Sequence, residues 1–322
     1  MGDPAGVGPE IAVRAWLARE TLAAPFFLIA DPRALAETAR RLGFAAPVAE
    51  VAPTEAAAAF ADVRPVVALT APAGARPGEP DPTFAAATVE SIERAVAAVR
   101  AGEARAVVTN PIAKATLYAA GFAFPGHTEF LGALAARQWG AAAQPVMMIW
   151  SPALAVVPVT IHVALKEVPR LLTRELIIST ARVVAADLKG RFGVAQPRLA
   201  LAGLNPHAGE AGAMGREEIE TIAPAVALLR AEGFDVVGPL SADTMFHPAA
   251  RARYDVALTM YHDQGLIPAK TLAFDSGVNV TLGLPFVRTS PDHGAAFDIA
   301  GKGVASPTSL IAALNLAARL AP

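Results

Sequence analysis

The stretch that most constrains the fold is residues 259–270, TMYHDQGLIPAK. It begins inside an apolar run, residues 254–260, which reads as a buried strand. Three polar side chains follow that run at once: His262, Asp263 and Gln264. In α/β proteins, binding and catalytic side chains gather at the carboxyl ends of buried strands. The stretch therefore predicts a functional site here, with the chain breaking at Gly265 and Pro268 before Lys270.

Strand and helix patterns alternate along the rest of the chain. Apolar runs typical of buried strands occur at residues 26–30, 65–69, 104–109, 146–150, 153–160, 198–202, 235–237, 255–260 and 278–282. Patterns typical of helices occur at residues 11–22, 33–42, 83–100, about 130–139, 173–192, 216–232 and 306–320. Strand, helix and strand at this spacing predict parallel βαβ units, and 322 residues suffice for two lobes.

Composition excludes several classes of protein. Hydrophobic residues make up 54% of the chain and charged residues 17%, which predicts a packed rather than a disordered chain. A net charge of −2 without a long basic run argues against nucleic acid as a partner. The absence of cysteine excludes disulfides, thiolate metal sites and cysteine nucleophiles. With no signal-peptide pattern at the amino terminus, we expect a cytoplasmic enzyme.

Residues 145–165 contain no charge and are long enough to be read as a membrane span. Three prolines in this segment, Pro145, Pro152 and Pro158, argue against a single helix. We interpret Ser151 and Pro152 as a turn between two buried strands, and expect no membrane partner.

Two more histidines repeat the context of His262. His162 and His207 also follow apolar, strand-like runs. The carboxyl ends of parallel strands meet at one edge of a sheet, so the three imidazoles are candidates for a single metal site. Neutral imidazoles suit zinc, cobalt or a similar ion. The alternative for each one is a core or capping histidine, because no local spacing such as HExxH supports a metal.

Two groups of residues are candidates for binding an anionic substrate. His127 and Thr128 precede a helix, and the free amides of a helix amino terminus favour phosphate. The alternative is that Thr128 only caps the helix. A second group lies beyond the strand of His262: Lys270, Asn279 and Arg288. Lysine and arginine there could hold phosphate or carboxylate, or be ordinary surface charges.

Acidic and glycine-rich loops complete the candidates. Asp243 and Asp263 could move a proton or orient a histidine, although loop carboxylates are mostly solvated. Residues 291–302 form a loop on which the backbone and His293 could contact a nucleotide. The glycines of residues 1–10 carry little weight alone, because a dinucleotide fingerprint needs a strand just before it.

Taken together, eight separated motifs resemble the 4-hydroxythreonine-4-phosphate dehydrogenase family of vitamin B6 biosynthesis. The motifs occur in this order along nearly the whole chain: MGDPAGVGPE, TNPIAK, FPGHTEF, LNPHAGE, ADT, MYHDQG, NVTLGLPFVRTSPDHG and DIAGKG. The segment DHGAAFDIAGKG also resembles the cofactor loop of the wider isocitrate and isopropylmalate dehydrogenase superfamily.

The resemblance implies a three-layer α/β/α fold of two lobes with a central cleft. Lobe one would comprise residues 1–125 and 271–322 and carry the cofactor loop, and lobe two residues 126–270. The implied metal ligands are His162, His207 and His262. The implied substrate-binding residues are His127, Thr128, Lys270, Asn279 and Arg288. The implied cofactor residues are His293, Gly294 and Asp298, with Asp243, Asp263 and Lys270 as catalytic candidates.

The resemblance also implies the chemistry. The enzyme would be a homodimer with its active site shared across the interface, and one metal histidine would come from the partner. It would use NAD or NADP. Each subunit would bind one divalent metal, which could be zinc, magnesium or cobalt. It would oxidise 4-phosphooxy-L-threonine and decarboxylate the product to 3-amino-2-oxopropyl phosphate. One alternative is a paralogue acting on a 4-phosphorylated sugar acid, threonate or erythronate 4-phosphate. Others are a three-histidine metal hydrolase and a phosphate-ligand sensor without catalysis.

One departure from the family pattern concerns the start of the chain. Family members usually have a short strand before the motif that opens this sequence. We therefore expect either that the start was assigned too late or that the first strand is missing. A missing strand would expose its neighbour and weaken the fold, and neither case affects the site residues.

Overall fold

The computed structural model describes residues 1–140 and 142–321. The strands are β1 Leu28–Ala30, β2 Val48–Glu50, β3 Arg64–Ala68, β4 Ala106–Val108, β5 Val146–Trp150, β6 Ala155–Thr160, β7 Arg198–Ala202, β8 Asp235–Leu240, β9 Val256–Tyr261, β10 Val278–Leu282 and β11 Val287–Pro291. The helices are α1 Gly8–Leu17, α2 Pro32–Arg41, α3 Ala56–Ala59, α4 Ala85–Arg100, α5 Lys114–Ala119, α6 His127–Trp139, α7 Val168–Leu171, α8 Arg174–Gly190, α9 Ala223–Ala231, α10 Pro248–Arg251, α11 His262–Ala273 and α12 Thr308–Leu320. The predicted α/β class is confirmed.

The chain divides into two compact units, residues 1–145 with 284–322, and residues 146–283. In the first unit, β1, β3 and β2 form a parallel sheet in that order, and β4 pairs in parallel with β11. These units are defined by packing, and the lobe boundaries expected from the sequence, after residues 125 and 270, stay a prediction for the enzyme.

The second unit is built on six strands in the order β10-β5-β6-β9-β7-β8. β6, β9, β7 and β8 are parallel, whereas β5 runs antiparallel to both β6 and β10. β5 and β6 are joined by the predicted turn, in which Ser151 accepts and donates hydrogen bonds with Leu154. Within the described part of the chain, no helix is both long and apolar enough to cross a membrane.

Helix α11 replaces the break that the sequence predicts at Gly265 and Pro268, and that prediction is wrong. The reason is tertiary packing: Leu266 and Ala269 are buried in one apolar cluster with Val156 of β6 and other strand residues. One proline removes a single backbone hydrogen bond from the helix. Burial of this apolar face stabilises the helix by more than that loss destabilises it. The consequence for the site is that Lys270 lies on the same rigid element as His262.

Gly265 allows α11 to lie close to β9. A β-carbon at this position would be 2.6 Å from Oγ1 of Thr259. We expect Gly265→Ala to lower the free energy of unfolding by about 1–3 kcal/mol, because the buried Thr259 side chain or α11 itself must shift to accommodate the methyl group. Adding Thr259→Ala should restore part of that loss. Gly190→Ala in α8 is the matched control, since a β-carbon there meets nothing within 4 Å. Additive effects of Gly265→Ala and Thr259→Ala in thermal unfolding would contradict the close contact.

Candidate active site

The three strand-end histidines follow three neighbouring strands of the second unit. β9 lies between β6 and β7 and is parallel to both. His162 lies two residues after β6, His262 directly after β9, and His207 five residues after β7. Parallel neighbours end at the same sheet edge, so the fold delivers all three histidines to one edge.

His162 and His262 are brought close together. Their ring centroids are 5.4 Å apart. Nδ1 of His262 lies 2.7 Å from Oδ1 of Asp263, which fixes the ring and directs its Nε2 away from the carboxylate. A carboxylate on the far nitrogen is the usual partner of a metal-binding imidazole, because it selects the tautomer and raises the basicity of the other nitrogen.

His207 has the same kind of partner but lies in a strained loop. Its Nδ1 is 2.9 Å from Oε1 of Glu210. Residues 207–211 all have positive φ, and His162 has φ of 38°. Left-handed backbone costs roughly 1–2 kcal/mol per non-glycine residue, and it persists only where surrounding contacts impose it. Such outliers cluster at functional sites, and here they occur at two of the three histidines.

Glu218 imposes the start of that loop. One oxygen of this buried carboxylate accepts hydrogen bonds from the backbone amides of Leu204 and Asn205, each at 2.7 Å. The other oxygen accepts from Nδ2 of Asn205 at 3.0 Å. Gln264 links the neighbouring strand ends, because it accepts from the amide of Met260 and donates to the carbonyl of Gly203, both at 2.7 Å.

The side chains around this edge are of the kinds that bind a divalent metal. Among residues 1–140 and 142–321, no three His, Asp or Glu side chains form a cluster that could hold a metal ion. The exposed His207 and the half-buried His262 each have one nitrogen engaged by a carboxylate. Asp243 is exposed and accepts a hydrogen bond of 2.6 Å from Ser241. The metal assignment of the three histidines stays a prediction.

The phosphate candidates His127 and Thr128 open helix α6. Gly126 occupies the capping position, and no side chain caps the helix, so the interpretation of Thr128 as a cap is wrong. Nε2 of His127 is buried and has no hydrogen-bond partner within the described residues. The ring also lines a cavity of about 360 Å³ in the first unit. An unpartnered ring nitrogen at a helix amino terminus is a feature that an anionic ligand would satisfy.

Cations surround His127. Burial lowers the pKa of His127 well below 6.5, and the charges of Arg288 and Lys114 lower it further. Arg288 on β11 is 3% exposed, donates a 2.5 Å hydrogen bond to Oγ1 of Thr109, and burial lowers its pKa to about 10. A β-carbon at Gly126 would lie 3.4 Å from Nζ of Lys114, which places that ammonium beside the start of α6. Oε2 of Glu129 lies 3.4 Å from the same point, and the cations together with the free amides at the start of α6 favour an anion there.

The remaining substrate candidates lie in the second unit. Lys270 is half-buried on α11, with its ammonium 5.9 Å from the ring centroid of Phe274. Asn279 is half-buried on β10, opposite Ile149 of β5. Their predicted roles in substrate binding stay predictions.

The predicted cofactor residues lie on an anchored loop of the first unit. His293, Gly294 and Asp298 are exposed, whereas Ala295 and Ala300 between and beside them are buried. Nδ1 of His293 lies 3.0 Å from the carbonyl of Gly294, and the space beside Gly294 is open to 4 Å. An open glycine beside an exposed histidine on a loop with buried alanines fits close approach of a nucleotide.

The family model described as "Pyridoxal phosphate biosynthetic protein PdxA" matches residues 22–317. The chain belongs to the PdxA family. A PdxA relative from Methylorubrum populi, named 4-hydroxythreonine-4-phosphate dehydrogenase, is 65% identical over 326 aligned positions that cover 100% of this chain and 93% of that protein. The corresponding protein of Bradyrhizobium diazoefficiens is 59% identical, with 100% and 95% covered. The crystal structure of the Klebsiella pneumoniae enzyme of the same name has a TM-score of 0.86 at 37% identity, covering 100% of this chain and 96% of that chain.

Membership in the PdxA family confirms the resemblance drawn from the motifs. Sequence reasoning missed two residues that the structure places in supporting positions, Thr109 and Glu218, and it named Gln264 without the bridge of that side chain to Gly203. A signal for Glu218 was absent, because a glutamate in a helical pattern of mixed polarity reads as a solvated residue. Thr109 is the last residue of a predicted strand, so its position beside a buried arginine needs the pairing of β4 with β11.

The low pKa of His127 predicts proton uptake when this PdxA protein binds an anion. The ring is neutral in the ligand-free protein at neutral pH, and a bound anion stabilises its protonated form. We therefore expect sulfate, which does not itself titrate in this range, to bind more tightly as pH falls from about 8 to about 6. Calorimetry in two buffers of different ionisation enthalpy measures the uptake. His127→Asn should abolish it, and sulfate binding by the wild type without proton uptake would contradict the assignment.

The same pKa makes stability of the ligand-free protein depend on pH. Below 6.5 the unfolded chain binds a proton at this histidine that the folded chain does not. The contribution of neutral His127 to the free energy of unfolding is therefore complete above pH 6.5. It is lost as pH falls toward the pKa of this ring in the folded protein. Thermal unfolding of His127→Asn should show a flatter dependence in that window.

Proposed function

We propose that this PdxA protein is a 4-hydroxythreonine-4-phosphate dehydrogenase. It oxidises 4-phosphooxy-L-threonine with NAD or NADP and a divalent metal, and the product loses carbon dioxide to give 3-amino-2-oxopropyl phosphate. The observation that carries the proposal is the convergence of His162, His207 and His262 on three neighbouring strand ends, in a chain whose curated relatives bear this enzyme's name. The expected cytoplasmic location belongs to the same proposal.

The substrate's phosphate is held by the cationic side chains around α6. His127 binds it through Nε2 as the ring takes up a proton, and Arg288 adds charge-assisted hydrogen bonds from a buried position. Thr128, in the first turn of α6, offers a hydroxyl and an amide. Lys270 and Asn279 complete substrate binding by contacting the carboxylate and its neighbouring polar groups.

The histidines hold a divalent ion, zinc, magnesium or cobalt. When bound, such an ion lowers the pKa of a coordinated alcohol and polarises a carbonyl, which serves both oxidation and decarboxylation. Asp263 and Glu210 orient the rings of His262 and His207 by accepting from their Nδ1 atoms. Asp243, exposed at the same unit, is the candidate for orienting a ligand or holding the substrate amine.

His293, Gly294 and Asp298 would hold the nicotinamide cofactor, which would supply the hydride acceptor for oxidation of the alcohol. His293 and Asp298 present their side chains to solvent, where a ribose or adenine can reach them. The glycine between the histidine and the buried Ala295 admits the ligand close to the backbone.

The proposal includes a homodimer in which one metal histidine of each active site comes from the partner subunit. Large apolar side chains flank the three histidines in sequence and are exposed in the single chain: Val163, Leu165, Met214, Ile219, Ile267 and Phe274. Phe274 is 76% and Leu165 is 67% exposed. Exposed apolar side chains in such number mark an interaction surface, and a twofold interface presents the same patch from both copies.

The first test of the proposal is substrate choice. We expect NADH or NADPH formation, followed by absorbance, with 4-phosphooxy-L-threonine and not with threonate 4-phosphate. Curated relatives between 51% and 65% identity carry the name of the amino-acid enzyme, which does not favour the sugar-acid alternative. Turnover of threonate 4-phosphate alone would contradict the substrate assignment and leave the assignment of the fold unchanged.

A further inference from the structure

An ion pair on α1, with a buried carboxylate and a partly exposed guanidinium, contacts the loop that carries the cofactor residues. The side chain of Glu10 is 2% exposed, and its Oε1 lies 3.4 Å from Nε of Arg14, one turn along the helix. The guanidinium of Arg14 also lies 5.1 Å from the ring centroid of Phe44. Burial of a carboxylate requires hydrogen bonds, and Glu10 accepts two from one distant segment of backbone, while Arg14 adds the opposite charge.

That segment is the end of the cofactor loop. Oε1 of Glu10 accepts a 2.9 Å hydrogen bond from the amide of Ala305, and Oε2 accepts a 3.3 Å bond from the amide of Gly303. Arg14 donates through Nη2 to the carbonyl of Gly303. Three backbone groups within three residues are thus fixed by one helix, while the side chains of Lys302 and Val304 face solvent.

The beginning of the loop is fixed by the residues just before α1. The amide of Val7 donates a 2.9 Å hydrogen bond to the carbonyl of Ala295. Gly6 permits this approach, because a β-carbon there would lie 2.9 Å from the same carbonyl oxygen. The two anchors at residues 295 and 303–305 enclose Asp298 and follow directly on His293 and Gly294. The loop is therefore held at both ends by one rigid element.

We infer that Glu10, together with Arg14, is a positioning residue for nicotinamide nucleotide binding. The inference rests on the proposed function, in which this loop binds NAD or NADP. Glu10 does not touch the ligand; it holds residues 293–303 in the binding conformation before the ligand arrives. Release of one anchor makes nucleotide binding order the loop, which weakens affinity and leaves the chemical step intact.

The chain contains a matched control on α4. Glu90 accepts hydrogen bonds from the amides of Thr70 and Ala71, both at 2.9 Å, and lies 3.2 Å from Arg94 one turn along. The architecture is that of Glu10 and Arg14, with two amides and one i,i+4 arginine. It holds a different segment, which carries none of the predicted cofactor residues.

The test compares Glu10→Ala, Glu10→Gln and Glu90→Ala with the wild type in steady-state kinetics. We expect Glu10→Ala to raise KM for the nucleotide about tenfold, with kcat at saturating nucleotide and KM for the phosphorylated substrate within about twofold. Glu10→Gln keeps one acceptor oxygen and should recover part of the affinity. Glu90→Ala should lower the melting temperature as Glu10→Ala does, because each leaves two amides without an acceptor, and yet leave KM for the nucleotide unchanged.

The outcomes separate the two claims. A wild-type protein without nucleotide-dependent turnover overturns the proposed function and the inference with it. An active wild type whose Glu10→Ala and Glu10→Gln variants keep the nucleotide KM overturns the inference alone. An equal rise in Glu90→Ala overturns it as well, since the effect would then follow stability. If Glu10→Ala fails to fold, Glu10→Gln and Arg14→Ala decide the same question by the same KM measurement.

Discussion

Replacing His207 with alanine should reduce turnover at least about 1000-fold while the protein stays folded. The expected loss corresponds to several kcal/mol of transition-state stabilisation, the amount that metal polarisation of an oxygen contributes. The side chain is exposed, so its removal leaves no cavity in the core. His162→Ala and His262→Ala should behave alike. His247→Ala is the control, because His247 is also exposed and lies on a loop of the same unit but belongs to no predicted site.

Mixing inactive histidine variants tests whether the site is shared between subunits. If one of the three ligands comes from the partner, two of the three pairwise mixtures regain activity and the third does not. Recovery should reach about a quarter of the wild-type rate, since half of randomly assorted dimers are mixed and each has one intact site. The pair that fails to recover identifies the two ligands of one chain. Failure of all three mixtures after verified subunit exchange would contradict the shared site.

Replacing Arg288 with methionine should raise KM for the phosphorylated substrate about 100-fold. Each hydrogen bond to a charged group contributes roughly 1.5–3 kcal/mol, and the buried guanidinium is expected to make such bonds to the phosphate. Stability should change little or increase, because methionine fills a similar volume without the desolvation cost of a buried cation. Kinetics with varied substrate and thermal unfolding of the ligand-free protein measure the two effects.

Arg64 provides the control for that substitution. It is fully buried on β3, donates to the carbonyls of Leu35 and Ala46, and burial lowers its pKa to about 10 as for Arg288. Arg64→Met should therefore affect the melting temperature in the same way as Arg288→Met and leave KM unchanged. Equal KM values for the Arg288 variant and the wild type would contradict a role in phosphate binding.

The fold of the second unit could be predicted from sequence because its strands are short apolar runs with clear ends. β5 was predicted with its observed bounds, and the turn after it follows from Ser151 and Pro152. α11 could not be predicted, because Gly265 and Pro268 disfavour a helix locally and the packing that favours it is tertiary. β11 was missed for a related reason: Arg288 and Thr289 interrupt its apolar pattern and are buried only through contacts distant in sequence.

The site shows the same division. The sequence predicts that His162, His207 and His262 meet at one sheet edge, because strand ends carry that information. It contains no sign of the left-handed turn at residues 207–211, whose conformation depends on the buried Glu218. Nor does it show that a helix amino terminus with free amides lies beside a buried arginine. That pairing joins α6 to β11, and 160 residues of chain separate His127 from Arg288.

The measurement that tests the central claim most directly is NADH formation from 4-phosphooxy-L-threonine by chelator-treated protein, before and after addition of zinc, cobalt or magnesium. The wild type should be silent after chelation and recover with one equivalent of metal per subunit, whereas His207→Ala should bind less metal and stay silent. Full turnover by the metal-free wild type would contradict a metal site built from the three strand-end histidines.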